Sequence, residues 1–162
     1  MTTDFYNIIK DELHSLGFEV IDEDLNRPWG AFFYIKESQA QAFSNHFFGG
    51  IDVNKLKIDG KLSPKILIVK PNSRLSWQYH NRRAEIWQVY KGKVGVVQST
   101  MDIETLMQTY LPGDQIKLER GMRHRLVGIE NYGVVAEIWQ HTDPENPSNE
   151  NDIIRLSDDY GR

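Results

Sequence analysis

Apolar residues in the first seventeen positions recur at helical spacing, at Phe5, Ile9, Leu13 and Leu16. That one-sided stripe predicts an amphipathic helix packed on another layer. Thr3 or Asp4 can cap its start and Gly17 can close its end. The period then changes. Phe18 to Val20 reads as a short strand, Asn26-Arg27-Pro28-Trp29-Gly30 as a turn, and Ala31 to Ile35 as a strand. Between residues 37 and 60, Gln39 to Phe48 suits a helix, Gly49-Gly50 breaks it, and Asp59-Gly60 reads as a turn.

From Lys65 onward the pattern is a series of short β-type runs: Lys65–Lys70, Leu75–His80, Glu85–Tyr90, Val94–Gln98, Thr105–Tyr110, Gln115–Leu118, His124–Val127 and Val134–Gln140. Turn residues separate them, at Pro71-Asn72, Lys91-Gly92, Pro112-Gly113, Arg120-Gly121 and Asn131-Tyr132-Gly133. Short strands at regular spacing predict an all-β sandwich or barrel. Asp143 to Glu150 is polar with two prolines and reads as a loop, and Ile153 to Leu156 as one more short element. A chain of 162 residues suits one domain. Its expected parts are a helical extension over residues 1–26, a strand-rich barrel over 64–142 and a tail over 143–162.

Charge and composition narrow the function. Nineteen basic against 23 acidic side chains leave a formal charge of −4, so no basic excess points to nucleic acid or to an anionic membrane surface. There is no cysteine, which excludes disulfides and thiolate metal sites. No apolar run reaches the roughly 20 residues that span a bilayer, and Met1-Thr2-Thr3-Asp4 has no basic or apolar leader character. The expectation is a cytoplasmic protein.

Four residues carry candidate metal chemistry: Gln78, His80, Glu85 and His124. Gln78 and His80 are two apart in a predicted strand and so share a face. Glu85 opens the next strand, and His124 begins one that returns about forty residues later. Two imidazoles, one carboxylate and one amide oxygen suit a divalent ion, zinc first, with manganese, iron or nickel compatible. Taken singly, each is ordinary strand polarity; a framework around them gathers the set. Asn72, Gln78-x-His80, Glu85 and Gly92 form one unit, and Gly113, Glu119-x-Gly121 and His124 a second. The two units resemble the paired motifs of the cupin superfamily in register, with Asn72 in place of a usual glycine and Glu119 of a usual proline. The resemblance implies a cupin barrel.

A sharper resemblance lies in Arg27-Pro28-Trp29-Gly30, Val69-Lys70-Pro71, Leu75-Ser76-Trp77-Gln78-Tyr79-His80, Arg83-Ala84-Glu85-Ile86-Trp87 and the tail Asn151 to Arg162, which ends Asp158-Asp159-Tyr160-Gly161-Arg162. These segments, within residues 27–35 and 64–162, resemble the mannose-6-phosphate isomerase cupin domain, often the C-terminal half of enzymes that also make GDP-mannose. No glycine-rich nucleotidyltransferase segment is present, so only the isomerase is implied. The family usually has further histidines where this chain has Asn81, Arg82 and Ile86.

The implied reaction is a metal-dependent aldose–ketose isomerisation of a sugar phosphate. Glu137 is the candidate base, with Arg83 beside Glu85 on one strand face. Arg83, Lys70 and Arg155 are candidates for the substrate's phosphate, and Arg82, a further substrate-binding candidate, is expected to narrow the pocket or pair with an acid. Trp29 is a candidate sugar-stacking surface, whereas at least two of Trp29, Trp77, Trp87 and Trp139 are expected in the core. His14, His46 and His141 are read as ordinary polar residues. Two other readings stay open: a non-catalytic sugar or sugar-phosphate binding cupin, and another cupin enzyme such as a dioxygenase or sugar-nucleotide epimerase. Open sheet edges suggest a homodimer.

Overall fold

The computed structural model describes residues 2–58 and 60–162. The turn expected at Asp59-Gly60 involves Asp59, which lies outside the described residues. Helix α1 (Thr2–Ser15) buries Tyr6, Ile9 and Leu13. The stripe therefore runs through Tyr6 and not through Leu16, which is 41% exposed. Thr3 and Asp4, expected as caps, lie inside the first turn because the helix already runs at Thr2. Its end follows the expectation. Gly17, at φ +90°, donates to the His14 carbonyl while the Phe18 N–H donates to that of Leu13. This is the Schellman arrangement, and it sends Phe18 back into the cluster that holds Leu13. With Phe18 committed to that stop, the first strand starts later than expected, at Val20.

Strands β1 (Val20–Arg27) and β2 (Gly30–Ile35) form a hairpin through Pro28 and Trp29. Gly30 lies where β2 meets the next strand so closely that a Cβ would stand 1.8 Å from the Ile68 carbonyl oxygen. A 3₁₀ turn at Glu37–Gln39 leads into α2 (Ala40–Phe47). A short helix missed by the periodicity follows, α3 (Val53–Leu56), capped by the Asp52 side chain.

The remaining strands are β3 (Lys65–Val69), β4 (Trp77–Tyr79), β5 (Arg83–Lys91), β6 (Val94–Ser99), β7 (Gln108–Tyr110), β8 (Gln115–Leu118), β9 (Arg123–Gly128), β10 (Gly133–His141) and β11 (Ile154–Ser157). The runs expected at Leu75–His80 and Thr105–Tyr110 shrink to three paired residues each, and the Asp143–Glu150 loop is as expected. Two antiparallel sheets result, ordered β1-β2-β3-β10-β5-β8 and β11-β4-β9-β6-β7. This is the all-β barrel with an N-terminal helix that the strand spacing called for. Asn72, in the position of a usual glycine, takes φ +54°, a left-handed conformation that asparagine tolerates.

The six-stranded sheet is apolar on both faces. Outward, Phe33, Ile66, Ile68, Val134, Ala136 and Ile138 pack with Tyr6, Ile9 and Leu13 of α1 and Phe43 and Phe47 of α2. Inward, Phe32, Leu67, Val69, Val89 and Val135 pack with Val94, Val96 and Leu126 of the other sheet. Burial on both faces explains why β3 reads Lys-Ile-Leu-Ile-Val with all five residues buried and no alternation. Each fully buried Phe, Ile or Val contributes about 1.5–3 kcal/mol. One end of the inward face is different: there Lys65, Arg83, Glu85 and Glu137 are buried too.

Candidate metal centre

The barrel brings three of the four proposed ligands into one cluster. One side-chain ligand atom each from His80, Glu85 and His124 lies within 4.8 Å of the others, and all three residues are buried. The Glu85 Oε1 atom stands 3.2 Å from His124 Nε2 and 3.6 Å from His80 Nε2. Gln78 pairs directly with His124 across β4 and β9, so its side chain shares that face. Its amide oxygen accepts a hydrogen bond from the Ser76 hydroxyl at 2.5 Å.

Hydrogen bonding fixes both imidazole tautomers. His80 Nδ1 donates to the Asp152 carbonyl at 2.6 Å, and His124 Nδ1 to the Met122 carbonyl at 2.8 Å. A carbonyl only accepts, so each ring carries a proton on Nδ1 and turns its Nε2 toward Glu85. Burial pushes His80 down to about 4, with the Glu85 charge raising it only in part, so this ring is neutral at pH 7. Burial raises Glu85, but His80 and His124 when protonated, and the permanently charged Arg83 guanidinium, outweigh it and hold the carboxyl well below the ordinary range.

The donor set fits a divalent cation on a structural ground. Glu85 Oε1 and His124 Nε2 are fully buried and make no hydrogen bond, an expensive condition for polar atoms with nothing to satisfy them. His80 Nε2 accepts from Arg83 Nη2 at 3.2 Å, a bond that ligation would replace. Arg83 keeps its other partners: Glu85 Oε2 at 3.0 Å, the Ser148 hydroxyl at 2.9 Å and the Asn149 carbonyl at 3.0 Å. Its guanidinium also lies 3.7 Å over the Trp139 ring. Glu85 thus divides its oxygens, one held by Arg83 and one turned to the two imidazoles.

A cavity of about 60 Å³ opens beside this cluster. Trp29, Gln78, Arg83, Glu85, Trp87, Glu137 and Arg155 all line it; Lys70 and Arg82 do not. Arg82 instead donates to Asn146 Oδ1 and the Pro147 carbonyl, with Asp152 at 3.9 Å, so it pairs with an acid. Glu137 is clamped by two indoles, accepting from Trp87 Nε1 and Trp139 Nε1 at 2.7 Å each. Burial and then the charge of Glu85 push its carboxyl up to about 7. All four tryptophans are buried, Trp29 and Trp87 with an edge in this cavity. His46 packs against Phe18, Phe47 and Tyr90, and His141 lies by Ser63 and Ser148.

Residues that the sequence did not single out complete the surroundings. The Asp152 carboxylate accepts from the Asn81 and Arg82 N–H groups and from the Ser148 hydroxyl, which locks the tail against His80. Lys65, Arg27, Glu150 and Arg162 line the cavity as well. Their only trace in the sequence is that Arg27, Asp152 and Arg162 fall in the distinctive segments; Lys65 and Glu150 left none.

Similarity to known proteins converges on the same part of the chain. The chain is 28% identical over 144 residues to the alginate biosynthesis protein AlgA of Pseudomonas aeruginosa, covering 86% of this chain and 23% of that one. It is 30% identical over 136 residues to the xanthan biosynthesis protein XanB of Xanthomonas campestris, covering 84% and 23%. The chain therefore spans about a quarter of the length of these relatives. Among solved structures, oxalate decarboxylase of Lactobacillus farciminis superposes with a TM-score of 0.57 at 13% identity, covering 83% of this chain and 33% of that one. The capsular polysaccharide assembling protein CapF of Staphylococcus aureus gives 0.54 at 14%, covering 86% and 34%. At such identities the likeness concerns the fold, a cupin barrel. The model of the mannose-6-phosphate isomerase C-terminal family matches residues 48–158, which takes in His80, Glu85, His124 and Glu137, and the chain belongs to that family.

Proposed function

We propose that the protein is a divalent-metal-dependent aldose–ketose isomerase for a sugar phosphate, with mannose 6-phosphate and fructose 6-phosphate as the leading pair. The observation that carries this reading is the pair of buried, unpartnered atoms Glu85 Oε1 and His124 Nε2 converging with His80 beside a cavity that also holds a buried second carboxyl. His80, Glu85 and His124 would hold the ion, with Gln78 next to them, and zinc suits the donors best. Bound there, the ion supplies Lewis acidity to the sugar's carbonyl and hydroxyl oxygens.

The chain's own groups do the rest. Arg83 keeps Glu85 ionised and oriented through Oε2. Glu137, with its pKa raised to about 7, can take up and return a proton near neutrality. Its two indole donors leave each oxygen a second lone pair for that proton. Trp29 and Trp87 offer apolar edges to the carbon skeleton.

A second reading, a cupin that binds the sugar phosphate without turning it over, is favoured by Asn81, Arg82 and Ile86 standing where the family usually has histidines. Metal content and turnover on one chelator-free preparation decide between the two. Near-stoichiometric metal and ketose formation from mannose 6-phosphate, both lost in His124→Ala, are the expected result. Metal with no turnover of any sugar phosphate favours the binding protein. No metal under replete conditions would remove the metal-dependent isomerase and the proposed ligand set.

A further inference from the structure

The loop between β6 and β7 inverts the usual arrangement of a surface loop, because its polar groups bond back to the barrel. Asp102 Oδ1 accepts from Arg123 Nε at 2.9 Å, and the Asp102 carbonyl from Trp77 Nε1 at 2.6 Å. Glu104 Oε1 accepts from Arg125 Nη1 at 3.1 Å, and the Thr105 hydroxyl donates to the Gln98 carbonyl at 2.7 Å. The two arginines stand on either side of His124 in β9, so the loop is fastened to the strand that carries it. What the loop and β7 show to solvent instead is apolar: Met101, Ile103, Leu106, Met107 and Leu111 are between 44 and 85% exposed. Together they offer on the order of 500 Å² of apolar surface, the upper range of what a monomer leaves in one patch.

β7 is also the least guarded sheet edge. Among the described residues the two sheets end on β1, β8, β11 and β7. β1 carries Asp22, Glu23 and Asp24, β8 carries Lys117 and β11 carries Arg155, and such charges oppose edge-to-edge pairing. β7 reads Gln-Thr-Tyr, with no charge, proline or bulge. Its free backbone groups follow from the ladder. The Leu126 carbonyl accepts from the Leu75 N–H, so Leu126 turns away from β6 while Arg125 and Val127 turn toward Val97 and Gly95. Val94 and Val96 then turn to β7, as the Gln98 carbonyl does to Thr105. That leaves Thr109, opposite Gly95, with its N–H and C=O at the open edge. Met107 and Leu111 lie two residues before and after it and share its face. A Cβ on Gly95 would stand 2.3 Å from Met107 Sδ, so Met107 already covers the outer face of β6.

We propose that residues 101–111 form the interface of a two-fold dimer of this chain, in which Thr109 of one protomer pairs with Thr109 of its partner and the two five-stranded sheets become one. The stretch is self-complementary about Thr109, since antiparallel pairing there sets Met107 of each protomer against Leu111 of the other. Covering the patch on both copies removes about 1,000 Å² from solvent, which is what a specific interface needs. A membrane surface is the poorer occupant, because residues 98–115 hold no lysine or arginine to meet anionic lipid. The dimer does not depend on the sugar-phosphate reading.

The test is sedimentation velocity on the full chain across micromolar concentrations. The wild type is expected at twice the 18.9 kDa chain mass. Leu106→Lys places a charge in the patch at a side chain that is not part of the core, and Thr109→Pro removes a donor that β6 does not use. Each substitution enters a two-fold interface twice, so each should raise the dissociation constant about a hundredfold or more while far-UV circular dichroism stays unchanged. Ile8→Lys, at an exposed apolar position on α1, should leave the dimer intact. A monomeric wild type would overturn the proposal, as would a dimer that persists in both Leu106→Lys and Thr109→Pro. A dimer lost in Leu106→Lys but kept in Thr109→Pro would overturn the strand pairing, and one lost in Ile8→Lys would move the interface to the helical side.

Discussion

On β10, Val134, Ala136 and Ile138 turn outward to the helices, while Val135, Glu137 and Trp139 turn into the barrel. The two faces of one strand obey different rules. The outward face is filled by carbon, and its contribution is area removed from water. The inward face begins apolar at Val135 and ends at a carboxyl that needs two indole donors to be buried at all. β5 makes the same passage on its inward face, from Val89 and Trp87 to Glu85 and Arg83. Stability and chemistry are thus separated by less than the thickness of a sheet, and the separation is open to test by substitution.

The largest effect is expected on the outward face. Phe33 is fully buried there, and Phe33→Ala should cost about 3–5 kcal/mol. Urea unfolding would show it as a lower midpoint, while metal stoichiometry in the absence of urea stays at the wild-type value. Loss of metal binding in folded Phe33→Ala protein would show that the two faces are coupled.

The next effect is electrostatic and belongs to the inward face. Glu137 has its folded pKa raised from 4.5 to about 7 by burial and the nearby Glu85 charge. The folded state therefore binds this proton more tightly than the unfolded chain. The resulting stabilisation is fully present below pH 4.5 and is lost as pH rises through 7. Over that window it amounts to about 3 kcal/mol. In chelator-treated protein, the stability of wild type minus that of Glu137→Gln should fall by that amount from pH 4.5 to above 7. The variant carries a constant cost of its own, because one indole N–H loses its acceptor, so the slope of the difference is the readout. Parallel pH curves would show that Glu137 is not the group responsible.

Much of this was legible in the sequence, for identifiable reasons. The strands after Lys65 are short and bounded by turn residues, so their number and order could be read even where Leu75–His80 and Thr105–Tyr110 were drawn too long. His80, Glu85 and His124 could be gathered because their two units resemble the paired cupin motifs in register, and that resemblance implies which strands return to the same place. Lys65 could not be seen as a cavity residue, since it opens a run buried on both faces and its role depends on Glu150, 85 positions later. Asp152 was equally hidden: it acts through backbone N–H groups at Asn81 and Arg82, a contact without a side-chain pattern. The α3 turn escaped because four residues are too few to show a period.

The smallest effect tests a residue that lies near the centre in sequence but outside the cavity. Arg82 stands where the family usually has a histidine, yet its guanidinium holds Asn146 and Pro147 in the loop before β11. Truncation in Arg82→Ala leaves its backbone N–H on Asp152, and with it the Asp152 carbonyl that orients His80. The side chain is about one-fifth exposed, so solvent screens the ion pair and the lost bonds should cost only about 1 kcal/mol. Metal affinity, measured by competition with a chelating dye, should stay within about twofold of wild type, because a change of that size is all that a shift of a few tenths of a kcal/mol allows. A tenfold loss of affinity would instead mean that Arg82 steadies the centre through Asp152, and that the tail loop belongs to the inward face and not to its rim.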